Sequence, residues 1–229
     1  MNSAQRLLKE QAYRRRLLGM LGGGAVAPAV PWYLAGGIPE ANCIGAYKAI
    51  NVVDQATSYD NLTGNATYDL TTSAAPTWNG TDGWIFDGIS QFLNTAIAAV
   101  LNQNWSMAVR FTNGTTSSML AGVTNSGNPD FYLQTSNFAH VNVLTISPAI
   151  TSGILMICGK NCYAETTLKG TLAAATATNT NPIRIGAVGA ATPTTFGVSK
   201  IQAYAVWDID ISAYQGAVHA AMAALPATP

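Results

Sequence analysis

The chain has 229 residues, of which 48% are hydrophobic and only 10% charged, with 21 glycines and 10 prolines. An average soluble domain carries about 25% charged residues, so a disordered, acidic or collagen-like chain is ruled out. The length fits one all-β sandwich, or a domain with a short arm, and is ample to bury a core.

The 11 basic and 11 acidic residues cancel, but unevenly. Arg6, Lys9, Arg14, Arg15 and Arg16 stand against Glu10 alone, a net of +4, and the rest of the chain carries −4. A basic arm therefore precedes a charge-poor body. Phosphate recognition needs clustered Lys and Arg, so the body is not a nucleic-acid reader and only the arm could touch DNA.

Residues 3–18 read as a helix capped by Ser3 and ended by Gly19, with a thin apolar stripe that needs a partner. Arg14-Arg15-Arg16 and the apolar residues 17–21 resemble a signal peptide, even a twin-arginine one. The apolar core is short and broken by Gly22, Gly23 and Gly24, so we expect the arm to stay on the chain. No run approaches the ~20 apolar residues of a membrane span. Residues 19–39, with Pro28, Pro31 and Pro39, read as an extended linker. Trp32, Tyr33 and Leu34 are too apolar for a free tether and are expected to dock on the body or on a neighbour. These three, with Arg14, Arg15 and Arg16, form the expected anchor.

From residue 41 short apolar runs alternate with Gly, Asn, Asp, Ser and Pro, the signature of many antiparallel strands. The clearest run is 104–111, where Trp105, Met107, Val109 and Phe111 alternate with Ser106, Ala108 and Arg110, predicting one buried and one wet face. Further strands are expected at 84–87, 118–123, 131–135, 141–146, 154–158, 163–168, 182–187 and 200–208, which argues for two packed sheets rather than βαβ units. A closing helix is expected from Ser212, with Gln215 at capping-box spacing and Tyr214, Val218, Ala221, Met222 and Leu225 at helical period before Pro226. Asp208 and Asp210 lie ahead of its N-terminus, where negative charge suits the helix dipole.

The three cysteines exclude a full disulfide framework. Cys158 and Cys162 could staple a hairpin across its turn or be two small thiols flanking it. Zinc is not suggested by their spacing. The Asn-x-Thr triplets at Asn61, Asn65, Asn79 and Asn113 read as turn chemistry.

Several motifs then align with a known pattern. Ala46-Tyr47 is followed by Asp54 and the turn-rich Ser58-Tyr59-Asp60-Asn61-Leu62-Thr63-Gly64-Asn65. Gly83-Trp84-Ile85-Phe86-Asp87-Gly88 leads to Gln91-Phe92-Leu93. After these come Trp105 to Phe111, Pro182-Ile183-Arg184-Ile185-Gly186-Ala187, Phe196-Gly197 and the terminal strand and helix. In this order the chain resembles the concanavalin A-like lectin/glucanase superfamily, in its laminin-G-like form, over residues 41–225. The resemblance implies a two-sheet antiparallel jelly-roll sandwich at 41–229, preceded by a helical and extended arm at 1–40 and ended by a short helix. A fold of this kind hosts lectins, glycosidases, adhesion modules and structural parts, so function rests on residues.

Glycosidases of the superfamily use clustered carboxylates, and retaining hydrolysis needs two carboxyl groups about 5 Å apart. Glu10, Glu40 and Glu165 have no such company in sequence, Asp208-Ile209-Asp210 sits at a strand-to-helix junction, and His140 and His219 lack a partnered nucleophile. The chain is therefore expected not to be an enzyme. Aromatic faces beside Asn and Asp suit sugars, which makes Tyr59, Tyr68, Trp78, Asn79 and Asp82 glycan-binding candidates. Asp60, Asn61 and Asp82 are candidate ligands for Ca²⁺. No other cofactor is expected. A charge-poor, laminin-G-like body on a basic arm is similar to virion proteins of bacteriophages. On that resemblance we expect a structural tail, fibre or capsid-decoration subunit in the virion, anchored to other virion proteins through residues 1–40 and homo-oligomeric. The alternative is an adhesion module binding host-surface glycans.

Overall fold

The structure, a computed structural model, describes residues 29–101, 104–124, 131–173, 177–189 and 191–226. The expected helix at 3–18 and Arg14–Arg16 lie outside the described residues. Compactness divides the chain into Met1–Pro31 and Trp32–Pro229, and every strand and both cores belong to the second unit.

Seventeen strands are described: β1 Cys43–Lys48, β2 Thr71–Ala74, β3 Thr77–Asn79, β4 Gly83–Asp87, β5 Phe92–Leu101, β6 Ser106–Thr112, β7 Met119–Val123, β8 Phe131–Gln134 and β9 Asn137–His140. Then come β10 Asn142–Thr145, β11 Gly153–Cys158, β12 Asn161–Ala164, β13 Thr167–Thr171, β14 Ala177–Ile185, β15 Ala187–Gly189, β16 Pro193–Phe196 and β17 Val198–Trp207. One α-helix, α1 Gln215–Ala223, comes after them. Among the described residues the large sheet runs β13-β12-β11-β6-β17-β4-β3, with β1 also on β17, and the smaller runs β10-β9-β8-β7-β14-β5-β2. β15 and β16 form a separate hairpin. All pairings are antiparallel, as expected of a jelly-roll-type sandwich with a short C-terminal helix.

The main core lies between the sheets. Alternate residues of the central strands feed it: Met107, Val109 and Phe111 of β6, Leu155 and Ile157 of β11, and Tyr204 and Val206 of β17 meet Leu93, Phe131, Leu133, Phe138 and Ile185 of the smaller sheet. Tyr47 stacks on Tyr204 with ring centroids 6.1 Å apart.

The expected wet face of 104–111 is a correction, because β6 is buried on both sides. Its other face carries Ala108 and lies beside Ala46, Met156, Ala203, Ala205 and Trp207, which form a second core with Trp32, Tyr33, Ile38, Ile211, Val218 and Met222. Alanines at the sheet surface leave room for a closely packed cover, supplied by residues 32–38 and α1. The Trp207 indole donates to the Tyr33 carbonyl at 3.0 Å, and the Tyr33 hydroxyl donates to the Leu62 carbonyl at 2.7 Å. Trp32 meets Tyr33 edge-on at 5.8 Å. Each such aromatic contributes about 1.5–3 kcal/mol by burial.

Three local expectations also change. The strand expected at 163–168 is the hairpin β12–β13, because Glu165 turns the chain at φ 54°. The strand expected at 182–187 bends at Gly186, φ 82°, into β15. Ser212 does not cap α1. It opens a 3₁₀ turn, Ser212–Tyr214, and Asp210 Oδ1 accepts its N–H at 2.8 Å, a stronger acceptor for that orphan donor than a hydroxyl.

Cys158 belongs to the outer core and Cys162 to the inner, so they point to opposite faces, and all three cysteines are free and buried. The Asn-x-Thr triplets have a common geometry at three sites: Asn61, Asn65 and Asn79 each accept the N–H of the Thr two residues on, at 3.3, 3.1 and 3.0 Å. These are Asx turns. No described helix is long and apolar enough to cross a membrane.

Candidate functional site

The sequence-selected residues of the 54–82 region divide by what they touch. Asp54 accepts the Thr57 N–H at 2.7 Å and starts the 3₁₀ turn Thr57–Tyr59, and this bond holds its carboxyl below the usual range. Tyr59 is half-buried, with its ring 6.5 Å from that of Trp84 and its hydroxyl accepting from Gln55 Nε2 at 2.9 Å. Trp78 lies opposite Trp84 in the β3–β4 pairing and donates its indole N–H to the Ala49 carbonyl at 2.7 Å. Both aromatics pack against the main core and brace this end of the sandwich. Asn79 and Asp82 close the β3–β4 turn. Asn79 Nδ2 donates to Asp82 Oδ2, and Lys200 Nζ sits 2.9 Å from the same oxygen; the two contacts, Asn79 first, lower the Asp82 pKa.

The metal candidates are not brought together as a ligand set. Asn61 is buried, its amide oxygen accepts from Ala46 N and Thr63 N, and its amide nitrogen donates to the carbonyls of Ile44 and Asn65. Its full complement is used by the fold. Asp82 is held in its turn, and Asp60 is exposed. No group of three His, Cys, Asp or Glu able to hold a metal ion occurs among the described residues.

Tyr68 differs from Tyr59 and Trp78 by lining an open groove of about 420 Å³. Its walls are Glu40, Ala41, Cys43, Ile44, Thr63 and Asn65. Its carbonyl accepts the Tyr47 hydroxyl at 2.6 Å, which ties the 66–68 turn to the core. Asn65 uses its oxygen to cap that turn, and no described residue bonds its amide nitrogen. The groove thus joins an aromatic ring to a carboxylate, a hydroxyl and an amide. Cys43 lies at its base as a buried thiol with its pKa pushed well up by desolvation, next by Asp208, so it is not a nucleophile there. The contributions of Glu40, Thr63 and Asn65 are invisible in sequence because 3₁₀ turns and the start of β1 bring them together.

The anchor residues Trp32 and Tyr33 are buried in the outer core, with Leu34 packed against it. They are engaged by their own chain.

A second cluster has no signal in the sequence. Glu165 Oε2 lies 2.6 Å from His219 Nε2 on α1, while Oε1 accepts the Ile154 N–H at 3.0 Å. Gly153, at φ 122°, makes room for that carboxylate, which would collide with any Cβ there. Arg110 Nη1 donates to the carbonyls of Met222, Ala223 and Leu225 at the end of α1. Burial of Arg110 lowers its pKa, an effect Glu165 opposes.

No family model matches the chain, and no curated protein matches it. Solved structures do. A Trypanosoma rangeli sialidase in complex with sialic acid is similar at 14% identity and a TM-score of 0.54, over 97% of this chain and 40% of that one. The same enzyme in complex with 2,3-difluorosialic acid, a covalent intermediate, is similar at 13% identity and TM-score 0.53, over 96% and 39%. The botulinum neurotoxin type G receptor-binding domain is similar at 12% and TM-score 0.50, over 78% and 50%. The chain spans about two fifths of the sialidases' length. The likeness establishes a lectin-like β-sandwich fold.

It also corrects one expectation. The chain was expected not to be an enzyme, and that exclusion falls, since the fold neighbours are sialidases. The expectation rested on the lack of carboxylates with partners close in sequence, which leaves contacts made through the fold unseen. Glu165 and His219, for example, meet across 54 residues.

Proposed function

We propose that this chain is a glycan-recognising, lectin-like module whose binding site is the Tyr68 groove. The observation that carries the reading is the lining itself: one aromatic ring, Tyr68, beside Glu40, Thr63 and Asn65 in an open space of about 420 Å³. A sugar ring offers C–H groups to stack on the phenol, and its hydroxyls both donate and accept, which matches a carboxylate, a hydroxyl and an amide. Fold likeness to a sialidase structure holding sialic acid and to a toxin's receptor-binding domain supports this class of function.

Saturable binding on a glycan array is expected, with Tyr68→Ala and Asn65→Ala each weakening it about tenfold while melting stays cooperative. An array without hits, or binding indifferent to both substitutions, refutes the site.

The +4 segment at the N-terminus supports a finer setting, display on a bacteriophage particle. In this reading the arm within residues 1–40 docks on other virion proteins and the sandwiches project as a homo-oligomeric array. Removing residues 1–31 is expected to leave a folded sandwich that no longer joins particles. Normal incorporation of that truncation ends the anchoring idea.

A further inference from the structure

The outer side of the large sheet holds a second groove, of about 350 Å³, beside the C-terminal end of α1. Its polar lining comes from Arg110, Thr112, Ser152, Glu165 and Gln202. Gln202 is the unusual member. It is the extra residue of a β-bulge, since Ile201 pairs with Phe111 and Ala203 with Arg110, and a bulge re-aims the side chain it inserts. The residue is only 7% exposed, yet its carboxamide makes no hydrogen bond with any described residue and lines the groove. The carboxamide is reached from the groove and is free to bond a ligand there.

Arg110 adds direction. Nη1 is committed to the helix carbonyls, which leaves the Nε–Nη2 edge without a bond among the described residues. That edge is the one that grips a carboxylate with two parallel hydrogen bonds. Glu165 does not fill it: its oxygens turn to Ile154 N and His219, and no hydrogen bond or ion pair joins it to Arg110. The hydroxyls of Thr112 and Ser152 likewise have no partner among the described residues.

We propose that this groove binds a hydroxylated carboxylate, the chemistry of an acidic sugar: Arg110 takes the carboxylate through its Nε–Nη2 edge, and Gln202 with Ser152 and Thr112 takes the hydroxyls. The inference rests on the groove's own residues and not on the Tyr68 reading.

The test titrates the full chain with D-glucuronate, D-glucose or acetate and follows backbone amide NMR shifts. Glucuronate is expected to saturate shifts around Arg110, Gln202 and Glu165 at concentrations about tenfold below those needed for either glucose or acetate. Arg110→Lys keeps the charge and removes the two-pronged edge; Gln202→Met removes the carboxamide at similar volume. Each, with unchanged melting, is expected to weaken glucuronate about tenfold. Should either variant unfold, exposed Ser152→Ala supplies the check, with an expected loss of about threefold. Absence of saturable shifts, equal binding of glucose or of acetate, or undiminished binding in the folded variants overturns the proposal. Tyr68→Ala is expected to leave this titration unchanged, so failure of one groove is told apart from failure of the other.

Discussion

On the outer side of the large sheet, Ala108, Ala203, Ala205 and Trp207 are fully buried under residues 32–38 and α1. The outer side of the smaller sheet is built otherwise. One row of paired residues crosses it from edge to edge: Val143, Ala139, Tyr132, Gly122, Arg184, Asn94 and Thr71. Val143 and Thr71 are exposed and Tyr132 and Asn94 half-buried. Arg184 is buried in that row, its Nη1 and Nη2 donating to the carbonyls of Gly189 and Ala191 in the β15–β16 region. A sheet with two dry faces consumes apolar residues on both, which contributes to a chain that is 48% hydrophobic.

The contrast can be broken most directly by placing a charge on each face. Ala108→Lys buries an ammonium beneath the outer cover and is expected to cost at least about 4 kcal/mol or prevent folding, whereas Val143→Lys, exposed on the smaller sheet, is expected to stay within about 0.5 kcal/mol. Equal losses in urea denaturation would remove the distinction. Trp207→Ala, which also strands the Tyr33 carbonyl, is expected to cost about 3–5 kcal/mol, against less than about 1.5 for Tyr132→Ala. Arg184→Ala leaves two carbonyls without their donor and is expected to cost about 2–3 kcal/mol, read by thermal melts.

The cysteines sharpen the comparison without changing stability. Cys158 lies under the outer cover and Cys162 in the inner core; desolvation pushes the first well up and the second to about 12. Both are expected to resist alkylation at pH 8 until the protein unfolds, followed by peptide mass. Faster labelling of Cys158 alone would show that the cover opens. The smallest expected effect is in acid. Asp54, Asp82 and Asp87 have pKa values lowered by N–H and amide contacts, with Lys200 assisting Asp82. Groups with depressed folded values contribute stability above their ordinary carboxylate range and lose it as pH falls through the folded values. A gentle decline in melting temperature below about pH 4 is expected, and a shallower one in Asp87→Asn, which removes one of the three contributions, checks the assignment.

The fold was legible where local chemistry carries it. Continuous apolar runs at 154–158 and 203–207 announce strands, and Asn-x-Thr announces turns. The second core was not legible, because Ser106, Ala108 and Arg110 alternate with large apolar residues as a solvent face does. What dries them is a cover drawn from residues 32–38 and 211–222, distant in the chain. Glu165 breaks a β pattern with no glycine, proline or asparagine to mark it. Of the sugar-site candidates, Tyr68 lines the groove described above. Arg110, Gln202, Glu165 and His219 meet through a bulge and a helix contact that leave no local trace.

The position of β17 has a consequence for how the molecule is made. Along one edge it holds β4 through Val198–Asp87 to Ile201–Trp84 and β1 through Ala203–Lys48 to Trp207–Cys43, while the other edge holds β6. A single late strand thus clamps three segments translated long before it. Their pairing spans up to 164 positions of sequence, so loop-closure entropy must be met before any of these contacts forms. Until Trp207 has left the ribosome, β1, β4 and β6 have no common partner, and the large sheet cannot close before β17 has emerged. Folding on the millisecond-to-second scale, with nascent chains needing protection from edge pairing, is the expected result of that arrangement.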